Sequence, residues 1–233
     1  DRGSLGHFLD SFNLCENVIA ESQEGMDILK AVGVREELLN FIPEGGDSIV
    51  FRPHQRKSDG YILVCGTNYP DMRKNPVLIH EIASLMPHRE FLLLGPCWHS
   101  LLSNVGCIDA EYSKYPEYFG KASVYLSASK LEGGGPNSLI EAMHSNIVPV
   151  VSDTGNARNY ILDGYNGFIF EKDATPEQVA ELIEQAYKVD IQERMPYNDV
   201  WQTVQSYTWE SYGRHMKEII LNQYPEDNSN GLD

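Results

Sequence analysis

Apolar runs of strand length alternate with stretches of helical period along most of this chain, the pattern of βαβ units built around a parallel sheet that is buried on both faces. The runs are YILVCG (Tyr61 to Gly66), EFLLLG (Glu90 to Gly95), SVYLSAS (Ser123 to Ser129) and VPVVSD (Val148 to Asp153). Between them the spacing predicts helices over Asn75 to Met86, Tyr112 to Gly120 and Pro136 to Ser145. A further helix from Thr175 to Lys188 carries its own start signals: Thr175 as N-cap, Pro176 in the first turn, and Glu177 and Glu181 near the positive helix end. The stretch from Asp190 to Tyr224 predicts two more helices, the last starting near Thr208, and only the final EDNSNGLD reads as disordered. Nothing repeats at a fixed period.

The first 50 or so residues differ. CENVIAES reads as a strand, SQEGMDILKAVG as a helix ending at Gly33, and LLNFIPEGGD as a second strand running into a glycine turn. This is one βαβ step ahead of the main unit, and a linker from Arg52 to Gly60 rich in Arg, Lys and Ser separates the two. The expected fold is therefore α/β: a Rossmann-like, doubly wound parallel sheet at residues 51–225, an N-terminal βα appendage at 1–50, C-terminal helices, and a disordered tail at 226–233. Ligands of such sheets bind outside the carboxyl ends of the strands, so the loops after Gly66, Gly95, Ser129 and Asp153 share one rim.

With 42% hydrophobic and 22% charged residues, the 233-residue chain is expected to bury a real core, and it is cramped for two full domains of this type. Its net charge of −16, from 18 basic against 34 acidic residues, disfavours nucleic acid and anionic membrane as main partners. Basic residues do cluster at Arg52, Arg56, Lys57, Arg73 and Lys74, where they are either a pocket for a small anion such as a diphosphate or solvated loop charge. Cys15, Cys65, Cys97 and Cys107 lack metal or redox spacing and read as buried small apolar residues. No apolar stretch is longer than a strand, and no N-terminal leader is evident, which points to a chain without stable membrane insertion in a reducing, cytoplasmic setting. The start at Asp1 rather than Met suggests a fragment, a processed product or an engineered piece.

The most informative segment is SASKLEGGGPNSLIEAM, Ser127 to Met143. A strand ends near Ser129, Gly133, Gly134 and Gly135 follow, and Pro136 opens a helix. Successive glycines allow close backbone approach and φ values closed to other residues, while the free N–H groups of Asn137 and Ser138 at the helix start favour an anion, most naturally a phosphate. Glu141, about one turn on, can accept two hydrogen bonds from the cis hydroxyls of a ribose. The bland alternative is a glycine-rich βα turn that only packs a helix against the sheet, with Glu141 an ordinary surface acid. The seven histidines form no HExxH; neither a GxSxG elbow nor a GKS/T phosphate loop is present. His144, beside the helix, fits packing better than catalysis.

SKLEGGGPNSLIEAMHSNIVPVVSD followed by TGNARNYILDGYNGFIF resembles the signature of the retaining glycosyltransferases called GT4, or glycosyl transferases group 1. Glu141, Ala142 and Met143 match its "EAM" helix, Val148 to Val151 its "PVV" strand, and Asp163, Gly164, Asn166 and Gly167 its "DGxNG". VIAESQEGMDILKAVGV…FIPEGGDSIVFRP is similar to the stretch joining the two halves of such enzymes, and SYTWESYGRHMKEII to their Trp-containing C-terminal helix. The resemblance covers about Cys15 to Leu221. It implies the C-terminal, donor-binding half of a GT-B fold, with residues 1–50 as the end of the N-terminal domain and interdomain segment.

On that resemblance Glu141 takes the ribose, and Glu132 is the catalytic acid near the donor sugar. Two departures stand out. Eight residues separate Glu132 from Glu141 where the family has seven, so either the extra glycine bulges and Glu132 still reaches the sugar, or the first acidic role is altered. The family's Gly-Arg step after the first strand is Gly66-Thr67 here, leaving Lys74 as the match to the family Lys and Arg73 as a stand-in guanidinium, unless both are surface charges. Thr154 and Gly155 correspond to the loop beside the donor sugar or acceptor phosphate. The loop after Val105, with Ile108 and Tyr112, corresponds to the base site. The aromatic run Tyr112, Tyr115, Tyr118 and Phe119 fits helix core better than a stacking platform.

The implied activity is transfer of a sugar, with retention, from a nucleoside-diphosphate sugar to a glycan or lipid-linked acceptor held by a missing N-terminal domain, as in polysaccharide biosynthesis. No cofactor and no metal is expected. An isolated domain of this kind is expected to bind donor with little transfer of its own. Two rivals remain: a nucleotide-sugar 2-epimerase of the same fold, and a non-catalytic nucleotide-sugar-binding or scaffold module.

Overall fold

The computed structural model describes residues 2–55, 59–188 and 200–223. The chain opens with α1 (Arg2–Asn13), β1 (Val18–Ala20), α2 (Gln23–Val32) and β2 (Leu39–Phe41). Strands β1 and β2 pair in parallel as a two-stranded sheet, and Val18, Val34 and Leu38 form a small core of their own with Leu9, Phe12 and Leu29 packed on it. The boundaries of α2 follow from its caps. The Ser22 side chain accepts the Gly25 N–H at 2.9 Å, and Gly33, at φ 100°, returns its own N–H to Leu29 and Lys30. The helix α1 has no counterpart among the expected elements.

The main unit follows as β3 (Tyr61–Cys65), α3 (Pro76–Leu85), β4 (Phe91–Leu94), β5 (Val105–Ile108), α4 (Tyr115–Phe119), β6 (Ala122–Ser127), α5 (Asn137–His144), β7 (Val148–Ser152), α6 (Ala157–Tyr160), β8 (Phe168–Phe170), α7 (Pro176–Lys188) and α8 (Trp209–Gln223). Its six strands run parallel in the order β5-β4-β3-β6-β7-β8. The expected α/β doubly wound sheet is present. All four apolar runs are strands, and β4, β6 and β7 are buried along their whole length. Two strands, β5 and β8, were not foreseen.

Strand order decides where a ligand can sit. The winding reverses between β3 and β6, so the loops after these two strands diverge and leave a crevice at their carboxyl ends. The loop holding Gly66 and Lys74 thus faces the loop holding Glu132 and the three glycines. Helix α7 buries Val179, Ile183 and Ala186 against β6, β7, β8 and α3. Its expected N-cap is made reciprocally: the Gln178 N–H reaches Thr175 Oγ1 at 3.4 Å while the Thr175 N–H reaches Gln178 Oε1 at 2.9 Å. Helix α5 packs on β6, β7 and a short 3-10 helix at Val200–Thr203.

The C-terminal segment returns to the appendage. Gly46 and Thr208 form an isolated parallel bridge, Gly46 N–H donates to the Tyr207 carbonyl at 3.1 Å, and α8 starts at Trp209, close to the expected Thr208. Of the first of the two C-terminal helices expected after Asp190, the described residues from 200 form only the 3-10 helix, and the tail from 226 and the basic Arg56 and Lys57 lie outside the described residues. Among those described, no helix is long and apolar enough to cross a membrane.

One expectation fails at the cysteines. Only Cys65 is buried, whereas Cys15, Cys97 and Cys107 are exposed. Cys107 stands on the edge strand β5, which is only partly covered, and Cys15 and Cys97 lie in the turns after α1 and β4.

Candidate functional site

Gly66, directly after β3, adopts φ 128°, which only glycine takes readily, and its carbonyl accepts the buried Trp98 indole N–H at 2.7 Å. The chain then loops to Lys74, Asn75 and Pro76, where α3 begins. This loop delivers the Lys74 ammonium onto the Glu132 carboxylate, as an ion pair whose side chains are only 13% and 12% exposed. Glu132 and Lys74, foreseen as partners of one donor, are therefore brought together. Gly66 borders the same lysine: a Cβ placed on it would lie 3.7 Å from Lys74 Cε.

On the neighbouring helix Glu141 is 4% exposed, so the reading of it as a surface acid is excluded. The Tyr112 hydroxyl donates to its Oε1. Burial pushes the Glu141 carboxyl up to about 7; the Tyr112 bond opposes this and the Asp47 charge adds to it. Beneath both acids lies Tyr125, fully buried, whose phenol is pushed up first by burial and then by charges that include Glu132 and Glu141. Cys65, last in β3, is raised first by burial; Glu141 raises it further and Lys74 lowers it. Gly66, Lys74, Glu132 and Glu141 thus share one neighbourhood at the β3–β6 crevice.

The remaining expected residues divide. Ile108 ends β5 and its carbonyl accepts the Gly95 N–H at 2.8 Å, which leaves Tyr112 nearby as the partner of Glu141. Asn137 is exposed at the start of α5, but the Ser138 hydroxyl turns into the sheet and bonds the Tyr125 hydroxyl at 2.8 Å. Arg73 stacks its guanidinium 3.9 Å from the Tyr69 ring centre and lies 3.8 Å from Asp71, so its described partners include neither site acid. Thr154 is 6% exposed, and its Oγ1 has no hydrogen-bond partner among the described residues.

The glycine loop departs most from expectation. None of Gly133, Gly134 and Gly135 has a positive φ; two of them are required by space instead. A Cβ on Gly134 would meet the Glu44 carboxyl at 2.8 Å, and one on Gly135 would lie 1.5 Å from Asn156 Oδ1. The Gly135 N–H donates to Glu44 Oε2 at 2.9 Å, the Gly155 N–H to Glu24 Oε2 at 3.0 Å, and the Ser22 hydroxyl to the Gly133 carbonyl at 2.9 Å. Side chains of the appendage thus occupy amides on the rim, and the packing role of the turn is real. Glu24, Glu44, Ser22 and Asn156 escaped the sequence reading. The only available signal was a lone acid, Glu44, between an apolar run and a glycine pair.

The aromatic run behaves mostly as core. Phe119 is fully buried and Tyr115 and Tyr118 pack on the core, while Tyr112 is half-exposed, bonded to Glu141 and with its ring against those of Phe51 and Tyr115. His144 is buried, with Nε2 3.0 Å from the Tyr207 carbonyl, a packing role.

Comparison with known proteins agrees with this architecture. Residues 102–199 match the family model described as "Glycosyl transferases group 1". No curated protein sequence matches the chain. Among solved structures, sucrose-phosphate synthase from Thermosynechococcus elongatus superposes with a TM-score of 0.80 at 18% identity, over 97% of this chain and 62% of that one. A glycosyltransferase from Rickettsia africae gives 0.77 at 17%, over 94% and 68%. Anabaena Alr3699/HepE, solved in complex with UDP and glucose, gives 0.77 at 17%, over 94% and 67%. At such identities the likeness is one of fold, and the chain spans about two thirds or less of these proteins. The architecture is that of the C-terminal domain of GT-B glycosyltransferases. The family match at 102–199 covers less than half of the chain, and the solved structures add the fold alone.

Proposed function

We propose that this chain is the donor-binding part of a GT4-type, retaining glycosyltransferase that takes a nucleoside-diphosphate sugar. The observation that carries the reading is the convergence of Lys74, Glu132 and buried Glu141 on the crevice where strand order reverses. In this reading the diphosphate lies between the Lys74 ammonium and the exposed start of α5 at Asn137, where an ammonium and unpaired N–H groups both favour negative charge. The ribose hydroxyls replace Tyr112 on Glu141. Glu132, released from Lys74 as the diphosphate arrives, turns to the sugar hydroxyls, so the extra glycine need not remove it from the site.

During transfer the bond between the anomeric carbon and the diphosphate breaks and the nucleoside diphosphate leaves with the electron pair. Lys74 and the α5 start stabilise that growing charge, without a metal. Arg73 assists only if it leaves the Tyr69 ring. The acceptor, a glycan or lipid-linked glycan, is assigned to a further N-terminal domain, with residues 1–50 as its end and 51–225 as the donor domain, and the isolated chain is assigned little transfer activity. The neighbour HepE, in complex with UDP and glucose, supports the donor class by analogy.

One observation favours a rival. The Gly135 and Gly155 amides are held by the chain's own carboxylates, which suits a module that keeps the fold without binding donor. A thermal-shift titration with UDP, GDP, ADP and their glucose conjugates separates the two, since a ligand of the folded state alone raises the melting temperature. The donor reading expects a rise with at least one nucleotide, lost in both Glu141→Ala and Lys74→Ala. No rise with any of them at millimolar concentration supports the non-binding module.

A further inference from the structure

The first turn of α2 touches two rim loops: the one after β6 that carries Glu132, and the one after β7 that packs on it. Ser22, which is buried, caps the helix by accepting the Gly25 N–H and donates its own hydroxyl to the Gly133 carbonyl at 2.9 Å, directly after Glu132 in sequence. Gly25 lies against the same carbonyl, for a Cβ on it would stand 3.6 Å from that oxygen. Glu24 reaches the second loop. Its Oε2 accepts the Gly155 N–H at 3.0 Å and its Oε1 accepts from the Lys172 ammonium at 3.1 Å, so one carboxylate ties α2 to the loops after β7 and β8.

The Gly155 end of this bridge bears on Glu132. Gly155 adopts φ 59°, in the left-handed region, and a Cβ on it would lie 1.9 Å from the Gly134 carbonyl oxygen and 3.0 Å from Glu132 Cβ. The next amide, the Asn156 N–H, donates to the Gly134 carbonyl at 2.9 Å. At such close packing a displacement is passed on rather than absorbed, so the place of Gly155 limits the place of Glu132. Gly155 itself follows β7, one strand beyond the β3–β6 crevice, and its amide is bonded to α2.

We propose that Glu24 is a positioning residue for Glu132: by holding Gly155 from the appendage, it sets the loop from which Glu132 reaches the sugar of the donor. The inference rests on the donor reading above. The Lys172–Glu24 pair is partly exposed and contributes little by itself; it orients the carboxylate, and the charge-assisted bond to the Gly155 amide carries the effect.

Glu24 is the residue to vary, because a change at Ser22 also removes the helix cap. Exchange of the Gly155 amide, followed by NMR without ligand, reads the latch. Protection is expected to fall about tenfold in Glu24→Ala and to be largely kept in Glu24→Gln, whose amide oxygen still accepts the bond. Calorimetry reads the consequence, with UDP, GDP and ADP each compared with its glucose conjugate, since the ratio of the two affinities separates the sugar from the nucleotide. In Glu132→Gln and in Glu24→Ala that ratio is expected to move about tenfold against the conjugate, equivalent to one hydrogen bond to a charged group, and to move no further in the double variant. Glu24→Gln is expected to keep the wild-type ratio. Losses that add in the double variant, equal weakening of nucleotide and conjugate in Glu24→Ala, or Gly155 exchange untouched by Glu24→Ala each overturn the positioning role while the donor reading stands. A ratio that ignores Glu132→Gln takes Glu132 off the sugar and overturns the role as well. If no nucleotide binds the wild-type chain, the donor reading falls and takes the positioning role with it.

Discussion

Two glutamates flank the same glycine loop, and the chain neutralises them differently. Glu132, on the crevice side, meets the Lys74 ammonium in a contact that leaves both side chains nearly buried. Glu44, on the appendage side, meets a backbone amide and a side-chain amide instead. Burial pushes the Glu44 carboxyl up to about 7; the Gly135 N–H opposes the rise and the Glu21 charge adds to it. The first arrangement is a nearly buried ion pair at the crevice between β3 and β6. The second ties the appendage to the loop through the Gly135 amide and the Asn156 side chain. The loop between them is packed by its own chain, and that is the role its glycines show.

The comparison is broken most severely at the ion pair. Lys74→Ala leaves Glu132 buried without a partner and is expected to destabilise the fold by about 3 kcal/mol, with most of the loss recovered in a Lys74→Met/Glu132→Gln double variant, as read by urea unfolding. Next comes the loop itself. Gly135→Ala drives a methyl into Asn156 and is expected to cost about 2 kcal/mol, whereas Gly133→Ala, with nothing within 4 Å of its Cβ, should be nearly silent.

A pH series sharpens the contrast further. Glu44 and Glu141 are each pushed up to about 7 from an ordinary 4.5, so the folded chain binds protons that the unfolded chain releases. Their contribution to stability is complete below pH 4.5 and lost as pH rises through about 7. Glu44→Gln/Glu141→Gln is accordingly expected to gain in melting temperature relative to wild type between pH 5.5 and 8.5; parallel curves would count against both shifts. The smallest effect is at Tyr112→Phe, which removes the donor to Glu141 and is expected to cost about 1 kcal/mol and to move the Glu141 midpoint higher, measurable by carboxyl NMR.

How much of this was legible in the chain depends on distance along it. The strands at Tyr61, Phe91, Ala122 and Val148 announced themselves because central parallel strands are apolar on both faces. Strand β5 did not, since VGCI on a sheet edge is only partly covered, and β8 is a three-residue FIF between turns. Lys74, Glu132 and Glu141 were singled out by resemblance to a family pattern, and the structure brings them to one crevice. Glu44 could not, since its partner Gly135 lies 91 residues away and no local rule links a glutamate before a glycine pair to an amide in another loop. The exposed cysteines were misjudged for a related reason: residue type favours burial, but position on an edge strand or turn decides it. Arg73 shows the same limit, for its charge was legible while the Tyr69 ring that captures it was not.

On the proposed function, the crevice between β3 and β6 receives a nucleoside diphosphate. Crystals grown with UDP, GDP or ADP test it most directly. The account predicts a pyrophosphate within hydrogen-bonding reach of Lys74 and the start of α5, with the ribose hydroxyls on Glu141 and the Lys74–Glu132 contact opened. A nucleotide bound at another face of the domain, with that contact and the Tyr112–Glu141 bond both intact, would contradict it.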